Sequence, residues 1–403
     1  MSDDFQVERS CAVEPLFYRA PTPEKMQSLV RDYQLAGVEY HLARDHALFG
    51  DAPGLGKTAE TILLGNSIEA RRTLVVCPAS LRLKWEREIW TWSTTPNVST
   101  YPVLKSRDGV SLEADYVIVS YALLRNPSIF AALMSVRWDH LIGDEAHHFK
   151  EPKGNLTVKS ICGGTVKGVY RPGLAQVADR VTLASGSIMP NQPIESYNMI
   201  RLLNWDAIDR ASLADFRDYY YEFGEGFVMG RTFDEQRQVW VRKPHWSDQV
   251  RNVPRNLDDL QHRLRKHVMV RRLKEQVLHE LPSKQWNLFP LEATADVRRA
   301  LKHEGWERAE KLYEMDPDEF HGAAPIDGAV STARRLLGEA KAPQVAVYVR
   351  ELLEGGAEKM VVSAWHLSVL AYLKEQLKDL GLVYMDGSTP AIRKQRVVDL
   401  FRG

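Results

Sequence analysis

The sequence predicts an α/β protein in which a parallel sheet carries helices on both faces and a phosphate-cradling loop at one sheet end. Two observations carry this. From Glu24 to Leu203, short apolar runs alternate with longer stretches of helical periodicity, a pattern that suits a parallel sheet covered on both sides. Polar and glycine-rich residues also cluster just after the apolar runs, at the strand ends where open α/β sheets bind ligands. The runs Ala47–Gly50, Thr73–Cys77, Tyr116–Ser120, His140–Gly143 and Arg180–Ala184 match buried strands, and Ala59–Ala70 and Leu81–Trp92 match helices.

A chain of 403 residues suits two or three domains. With 44% hydrophobic and 26% charged residues it has a globular composition, which excludes a disordered or fibrous chain. No apolar run is long enough to span a bilayer, and the acidic start Met1-Ser-Asp-Asp has no secretory core. A membrane partner is therefore not expected. Cys11, Cys77 and Cys162 are odd in number and lack metal-ligand spacing, so reduced thiols in an intracellular protein are expected. The formal net charge is zero; a nucleic-acid partner would need a local basic surface.

The strongest chemical signal is Gly50-Asp-Ala-Pro-Gly-Leu-Gly-Lys-Thr58, between a strand and a helix. Small residues there let backbone amides wrap phosphates; Gly54, Leu55 and Gly56 form the cradle. Lys57 is placed for the β- and γ-phosphates of ATP and Thr58 for Mg²⁺. The strict pattern has glycine where this chain has Asp51. The second signal is Leu141-Ile-Gly-Asp-Glu-Ala-His147, an apolar strand ending in two acids. Asp144 is placed to hold Mg²⁺, and Glu145 to orient or deprotonate the attacking water. A glycine turn or a solvated acidic loop explains either signal alone; the pair in this order points to ATP.

On these residues the chain resembles helicase superfamily two, and within it the Swi/Snf branch of duplex-DNA translocases. Arg31-Asp-Tyr-Gln34 with Gly37 is similar to that branch's adenine-reading glutamine motif. Leu74-Val-Val-Cys-Pro-Ala-Ser-Leu81, running on to Lys84-Trp85 and Glu88, resembles its first DNA-contact motif, and Val119-Ser-Tyr121 the next. His148-Phe-Lys150 extends the acidic motif, and Val270-Arg-Arg-Leu-Lys274 with Val277-Leu278 and Leu281-Pro-Ser-Lys284 is a long block of the same branch. The resemblance implies a RecA-like ATP-binding lobe over residues 24–204 behind an N-terminal extension, residues 1–23. A helical, basic connector over 205–274 and a second RecA-like lobe over 275–403 would follow. It implies that Arg31 and Gln34 read adenine, that duplex DNA meets Ser80, Lys84, Ser120 and Lys150, and that His147 with Ser185, Gly186 and Ser187 relays the nucleotide state to the DNA. Ser185-Gly-Ser-Ile188 stands where the family has Thr-Gly-Thr-Pro, so the hydroxyls remain and the proline is lost. Ser185–Pro193 and Gly338-Glu-Ala-Lys341 are similar to the annealing-helicase subgroup.

Downstream, Lys359–Trp365 and Leu382–Met385 are expected as strands of the second lobe, and Asp316–Gly328 as a loop. The family continues past Asp386-Gly-Ser388 into two further motifs, the last supplying arginines to ATP, whereas this sequence ends at Phe401-Arg-Gly403. A partial second lobe is thus expected, from a cut chain, a truncated frame, or a partner protein that supplies the rest. Between Arg242 and Lys274 there are ten Lys or Arg against three Asp. Arg251, Arg255, Arg263, Arg265, Lys266, Arg271 and Arg272 form either a DNA-facing surface or a solvated face with bracing arginine pairs. Trp85, Trp90 and Trp92 are expected in the core. The function expected is a DNA-dependent ATPase that moves along duplex DNA, inside the cell, whether in cytoplasm, nucleoid or nucleus. The alternatives are a strand-separating DNA or RNA helicase, and a nucleotide-gated assembly module with little hydrolysis.

Overall fold

The computed structural model describes residues 3–149, 155–166, 168–189, 192–208, 212–234, 239–281, 284–307 and 328–403. It divides into two compact units, Met1–Tyr221 with Pro254–Pro282, and Glu222–Val253 with Ser283–Gly403.

In the first unit, β1 (Ala47–Phe49), β2 (Thr73–Cys77), β3 (Thr100–Pro102), β4 (Tyr116–Ser120), β5 (Trp138–Asp144), β8 (Ala178–Ala184) and β11 (Met269–Val270) form one sheet in the order β11-β1-β8-β5-β2-β4-β3. Every pairing in it is parallel. The short β6 (Gly164–Val166) and β7 (Val169–Arg171) form a separate antiparallel pair. Leu74 and Val76 enter one apolar cluster while Val75 and Cys77 enter the other. A period of two thus feeds two cores, because successive side chains leave opposite faces of a pleated strand. The second face is covered by α2 (Asp32–Leu42), α3 (Lys57–Ser67) and α4 (Arg82–Trp92), through Leu35, Val38, Ile62, Leu63, Trp85 and Ile89. The first is covered by α5 (Pro127–Met134), α6 (Leu156–Cys162), α7 (Tyr197–Leu203), α8 (Leu213–Tyr220) and α9 (Leu257–His267). α5 shows how such a helix starts: the Asn126 side chain accepts from the Ser128 and Ile129 amides, and Pro127 presets the first turn.

The expected N-terminal extension is tied down. Glu39 of α2 accepts from the Leu16, Phe17 and Tyr18 amides and pairs with Arg9 at 2.6 Å, the last residue of α1 (Asp3–Arg9).

Three expectations are corrected. The segment 205–274 is not a helical connector: β9 (Tyr221–Asp234) and β10 (Val239–Pro254) pair as a long two-stranded ribbon, and α9 and β11 then return to the first unit. β11 is only two residues long and follows a helix directly, so the short run Val268-Met269-Val270 does not stand apart as a strand. In the second unit, Lys359–Trp365 and Leu382–Met385 join no strand ladder. Instead Met360, Val362 and Ala364 pack on the cluster formed by α12 (Gly328–Glu354) and α13 (Leu367–Gln376), while Val361 and Trp365 are exposed. The alternation that signals a strand is met here by one-sided packing on a helix pair. α10 (Lys274–Val277) and α11 (Ala295–Leu301) precede these helices, and α14 (Ala391–Arg402) closes the chain. Asp316–Asp327, most of the expected loop, lies outside the described residues.

Two histidines are buried in the first unit. His140 Nε2 lies 2.7 Å from Thr182 Oγ1 across β5 and β8, and burial, with Arg180 nearby, pushes its pKa down to about 3. Burial likewise holds His41 well below the ordinary range, and neither of its ring nitrogens has a hydrogen-bond partner among the described residues. Below pH of about 6.5 the unfolded chain takes up protons that the folded chain refuses, so stability is lost as pH falls from there toward 3. Urea midpoints should therefore drop across that window, and His140→Gln should flatten the drop. An equal pH slope in the variant would refute the assignment.

Candidate active site

The glycine loop follows β1 and leads into α3, whose first residue is Lys57. Gly56 sits in the left-handed region at φ +83°, strained for any residue with a Cβ, and a Cβ there would stand 2.3 Å from Gln34 Nε2 and push that amide aside. The close neighbour is functional in form: Gln34 Nε2 donates to the Leu55 carbonyl at 3.1 Å, and the Tyr33 hydroxyl donates to the same oxygen at 3.0 Å. Gln34 Oε1 accepts from the Arg31 amide at 3.0 Å. The Gln34 amide keeps one hydrogen and one lone pair for a further partner. Arg31 is exposed and pairs with Glu280 at 3.0 Å. Leu55 is buried, Thr58 half-buried, and Lys57 Nζ donates to the Asp51 and Ala52 carbonyls at 2.8 and 3.3 Å. Burial lowers the Lys57 pKa, opposed by Glu60, Asp51, Glu145 and Asp144.

Asp51, the departure from the strict loop pattern, has a structural explanation. Its carboxylate takes Arg272 Nη2 at 2.6 Å and Nε at 3.1 Å on Oδ2, and the Arg272 amide at 2.8 Å on Oδ1. The same Nη2 reaches Glu60 Oε1 of α3 at 2.7 Å, and Nη1 donates to the Tyr33 carbonyl. All three side chains are at most 1% exposed. Gly37 leaves room for the guanidinium, since a Cβ there would lie 2.7 Å from Nη2. Burial, then the Asp51 charge, pushes the Glu60 carboxyl well above its usual range, with Arg272 opposing.

At the end of β5, Asp144 Oδ2 accepts from the Trp85 indole at 2.7 Å and Oδ1 from the Glu145 amide at 2.9 Å. The Tyr121 hydroxyl donates to the Asp144 carbonyl at 2.6 Å. Burial raises the Asp144 pKa, and Trp85 counters it. Glu145 has φ +52°, a strained conformation for a residue with a side chain. Its Oε2 lies 3.2 Å from His147 Nδ1, inside ion-pair range but without hydrogen-bond alignment. Beyond β8, the Ser185 amide donates to the Phe49 carbonyl of β1 at 3.0 Å, and its hydroxyl accepts from the Ser187 amide at 3.2 Å. Gly186 touches Pro53 of the glycine loop. Ile188, in place of the family's proline, is buried in the core.

The expected DNA contacts fare unequally. Ser80 and Lys84 are exposed just beyond β2. Ser120 is corrected: it is 2% exposed, because it ends an interior strand paired to Cys77. Arg272 is corrected as well, since its guanidinium is consumed by two buried carboxylates. Arg271 is half-buried and donates to the Gly50 carbonyl at 2.6 Å. Lys150 lies outside the described residues. Of the basic segment, Arg255 binds the Tyr219 and Asp218 carbonyls, Arg263 pairs with Asp259 and Lys266 with Asp3. These contacts all lie within the first unit. Trp85 and Trp92 are core residues, but Trp90 is half exposed and is corrected. The three cysteines are unpaired.

Sequence reasoning missed Glu60, Trp85 and Tyr121 as supports of the site. Glu60 alone left a signal, a charged residue on the apolar face of α3. Among the described residues no cluster of three His, Cys, Asp or Glu could cage a metal. Mg²⁺ needs none, since it binds through one or two protein groups plus substrate phosphates. Thr58, the buried Asp144 carboxylate and the Gly56 cradle fit that donor set.

This sheet, with a glycine loop after β1 and paired acids at the end of β5, defines a P-loop protein of the RecA-like class. Residues 33–322 match the SNF2-related domain, and the chain belongs to that family. It is 28% identical over 388 residues to the SWI/SNF-related matrix-associated actin-dependent regulator of chromatin subfamily A-like protein 1 of Xenopus tropicalis, covering 94% of this chain and 36% of that protein. It is 25% identical over 389 residues to the DNA annealing helicase and endonuclease ZRANB3 of Bos taurus, covering 94% and 33%. The chain thus spans about a third of the length of these relatives. Among solved structures, the Sulfolobus solfataricus SWI2/SNF2 ATPase core in complex with dsDNA aligns over 92% of this chain and 75% of its own, with 16% identity and a TM-score of 0.45.

Arg272→Ala should destabilise the protein by roughly 3–5 kcal/mol, because it strands two buried carboxylates. Arg272→Lys should recover only part, since a point charge cannot span both acids. Urea unfolding of the three proteins measures this; a change below 1 kcal/mol would contradict a structural clamp.

Proposed function

We propose that this chain is the ATP-binding part of a motor that hydrolyses ATP and moves along duplex DNA. The observation that carries the reading is the convergence on Lys57: a cation at the head of α3, in the field of Asp51, Asp144 and Glu145, above a cradle in which any side chain at Gly56 would be strained. Lys57 now satisfies its ammonium on the Asp51 and Ala52 carbonyls and would turn from them to the β- and γ-phosphates. Backbone amides of Gly54, Leu55 and Gly56 hold the same phosphates. Thr58 and Asp144 would hold Mg²⁺, whose contribution when bound is to neutralise charge on the phosphates. Glu145 orients the attacking water and accepts its proton, and its strained backbone supports an active role. Gln34 and Arg31 take the adenine. His147 beside Glu145, and Ser185–Ser187 between β1 and the loop, relay the state of the site. The names of the relatives, a chromatin regulator and a DNA annealing helicase, support DNA as substrate. Ser80 and Lys84 are the exposed candidates to meet its phosphates. A motor on DNA works inside the cell, and the free thiols suit a reducing compartment.

Lys57→Ala should abolish ATP binding measured by calorimetry, whereas Glu145→Gln should keep binding and lose turnover, because the amide has the shape but not the basicity. If Glu145→Gln binds as poorly as Lys57→Ala, these roles are wrong.

Duplex DNA binding should weaken steeply with salt and show little sequence preference. Lys84→Ala should lower the log–log salt slope by about 1. Titrations of random duplexes, single strands and RNA at several salt concentrations decide it; a preference for RNA would favour a strand-separating RNA helicase.

A further inference from the structure

We propose that Lys274 is a second nucleotide-binding cation, carried to the glycine loop by the strand that precedes it and facing the phosphates beside Gly54. This rests on the reading above that the loop binds ATP.

The argument starts from register. The Leu48, Gly50 and Ala52 amides donate in turn to the Val268, Val270 and Arg272 carbonyls, at 2.8, 2.9 and 3.0 Å. Each step advances two residues on both chains, so the pairing that begins as β1 against β11 runs on past both strands and into the glycine loop. The last of these bonds fixes Arg272, two residues before Lys274, and leaves the lysine side chain over the loop at Gly54. A methyl built on Gly54 would lie 3.4 Å from both Cε and Nζ of Lys274. Gly54, at φ +89°, leaves open the space over which the lysine stem lies.

The placement is rigid at its base. Two residues before Lys274, Arg272 is held by its amide on Asp51 Oδ1 at 2.8 Å and by its guanidinium between Asp51 and Glu60. Immediately before it, the Leu273 amide donates to Gln276 Oε1 at 2.7 Å, which sets the first turn of α10. At its tip the lysine is unspent: it is exposed and, among the described residues, no carboxylate or carbonyl takes its ammonium. An ammonium beside a glycine-rich loop at the head of a helix adds positive charge where anions already bind well, and the ligand that complements it is a polyphosphate. Lys57 approaches from the head of α3 and Lys274 from the far edge of the loop, so the two would flank the phosphates.

The test compares wild type, Lys274→Ala, Lys274→Arg and Lys57→Ala by calorimetry with ATP, ADP and adenosine, with urea midpoints alongside. Lys274→Ala should weaken ATP by roughly tenfold or more, leave adenosine affinity and the urea midpoint unchanged, and flatten the salt dependence of ATP binding; Lys274→Arg should restore most of the affinity. If Lys57→Ala loses ATP while Lys274→Ala binds it like wild type, the present inference fails and the nucleotide site stands. An equal loss for adenosine would make Lys274 a structural residue and also overturn it. If wild type binds no ATP, the nucleotide reading itself falls and takes this one with it.

Discussion

The Arg272 guanidinium, held between Asp51 of the glycine loop and Glu60 of α3, is the constraint on which the rest of the first unit depends. One buried cation fixes the entry of the loop, the first turns of the helix after it, and, through the Tyr33 carbonyl, the helix that carries Gln34. Buried ion pairs add little net stability compared with apolar packing, but breaking one is costly. The clamp therefore contributes geometry: three segments distant in sequence have one arrangement in which no charge is stranded. It also accounts for Asp51, the one departure from the strict loop pattern, and for Gly37, where a side chain would collide with the guanidinium.

From that anchor the site is assembled by the sheet. β1 ends at the glycine loop, β5 ends at Asp144, and β8 lies between them and ends at Ala184, just before Ser185. Because all strands run parallel, these three ends face the same side, and the polar residues that follow them are gathered without any long-range contact of their own. Trp85 and Tyr121 then fix the Asp144 side chain and carbonyl from neighbouring elements. The strain at Glu145 is held by the same packing, since Ala146 after it is fully buried. Asp144 in particular has both carboxylate oxygens and its carbonyl partnered.

The carboxylate and cation chemistry proposed for ATP sits on the rigid end of this scaffold, while the exposed side chains Ser80 and Lys84 sit just beyond β2 on the same sheet. A signal from one to the other has a short covalent and packed path, through Trp85, the residue after Lys84 in α4. Lys84 and Trp85 are adjacent in α4, one turned to solvent and the other bonded to Asp144. That adjacency places an exposed lysine one residue from the side chain that holds Asp144.

Much of this was legible from the sequence because it depends on short-range pattern. Buried parallel strands are continuous apolar runs, so Thr73–Cys77 and Tyr116–Ser120 were found with their true bounds, and a glycine loop before Lys57 needs no tertiary information to be recognised. What escaped depends on what lies alongside. The two-residue β11 exists only because β1 offers a free edge, and the alternating segment Lys359–Trp365 stays out of any ladder because a helix pair takes its apolar side. Arg271 and Arg272 look alike in sequence, yet one is half-buried on the Gly50 carbonyl and the other is a buried clamp. Sequence by itself determined the fold class, the family and the chemical alphabet of the site, since these follow from residue type and spacing. Only the tertiary structure decided which cations are free to meet a ligand, because a charge is available to a partner only after the fold's own buried carboxylates and carbonyls have been satisfied.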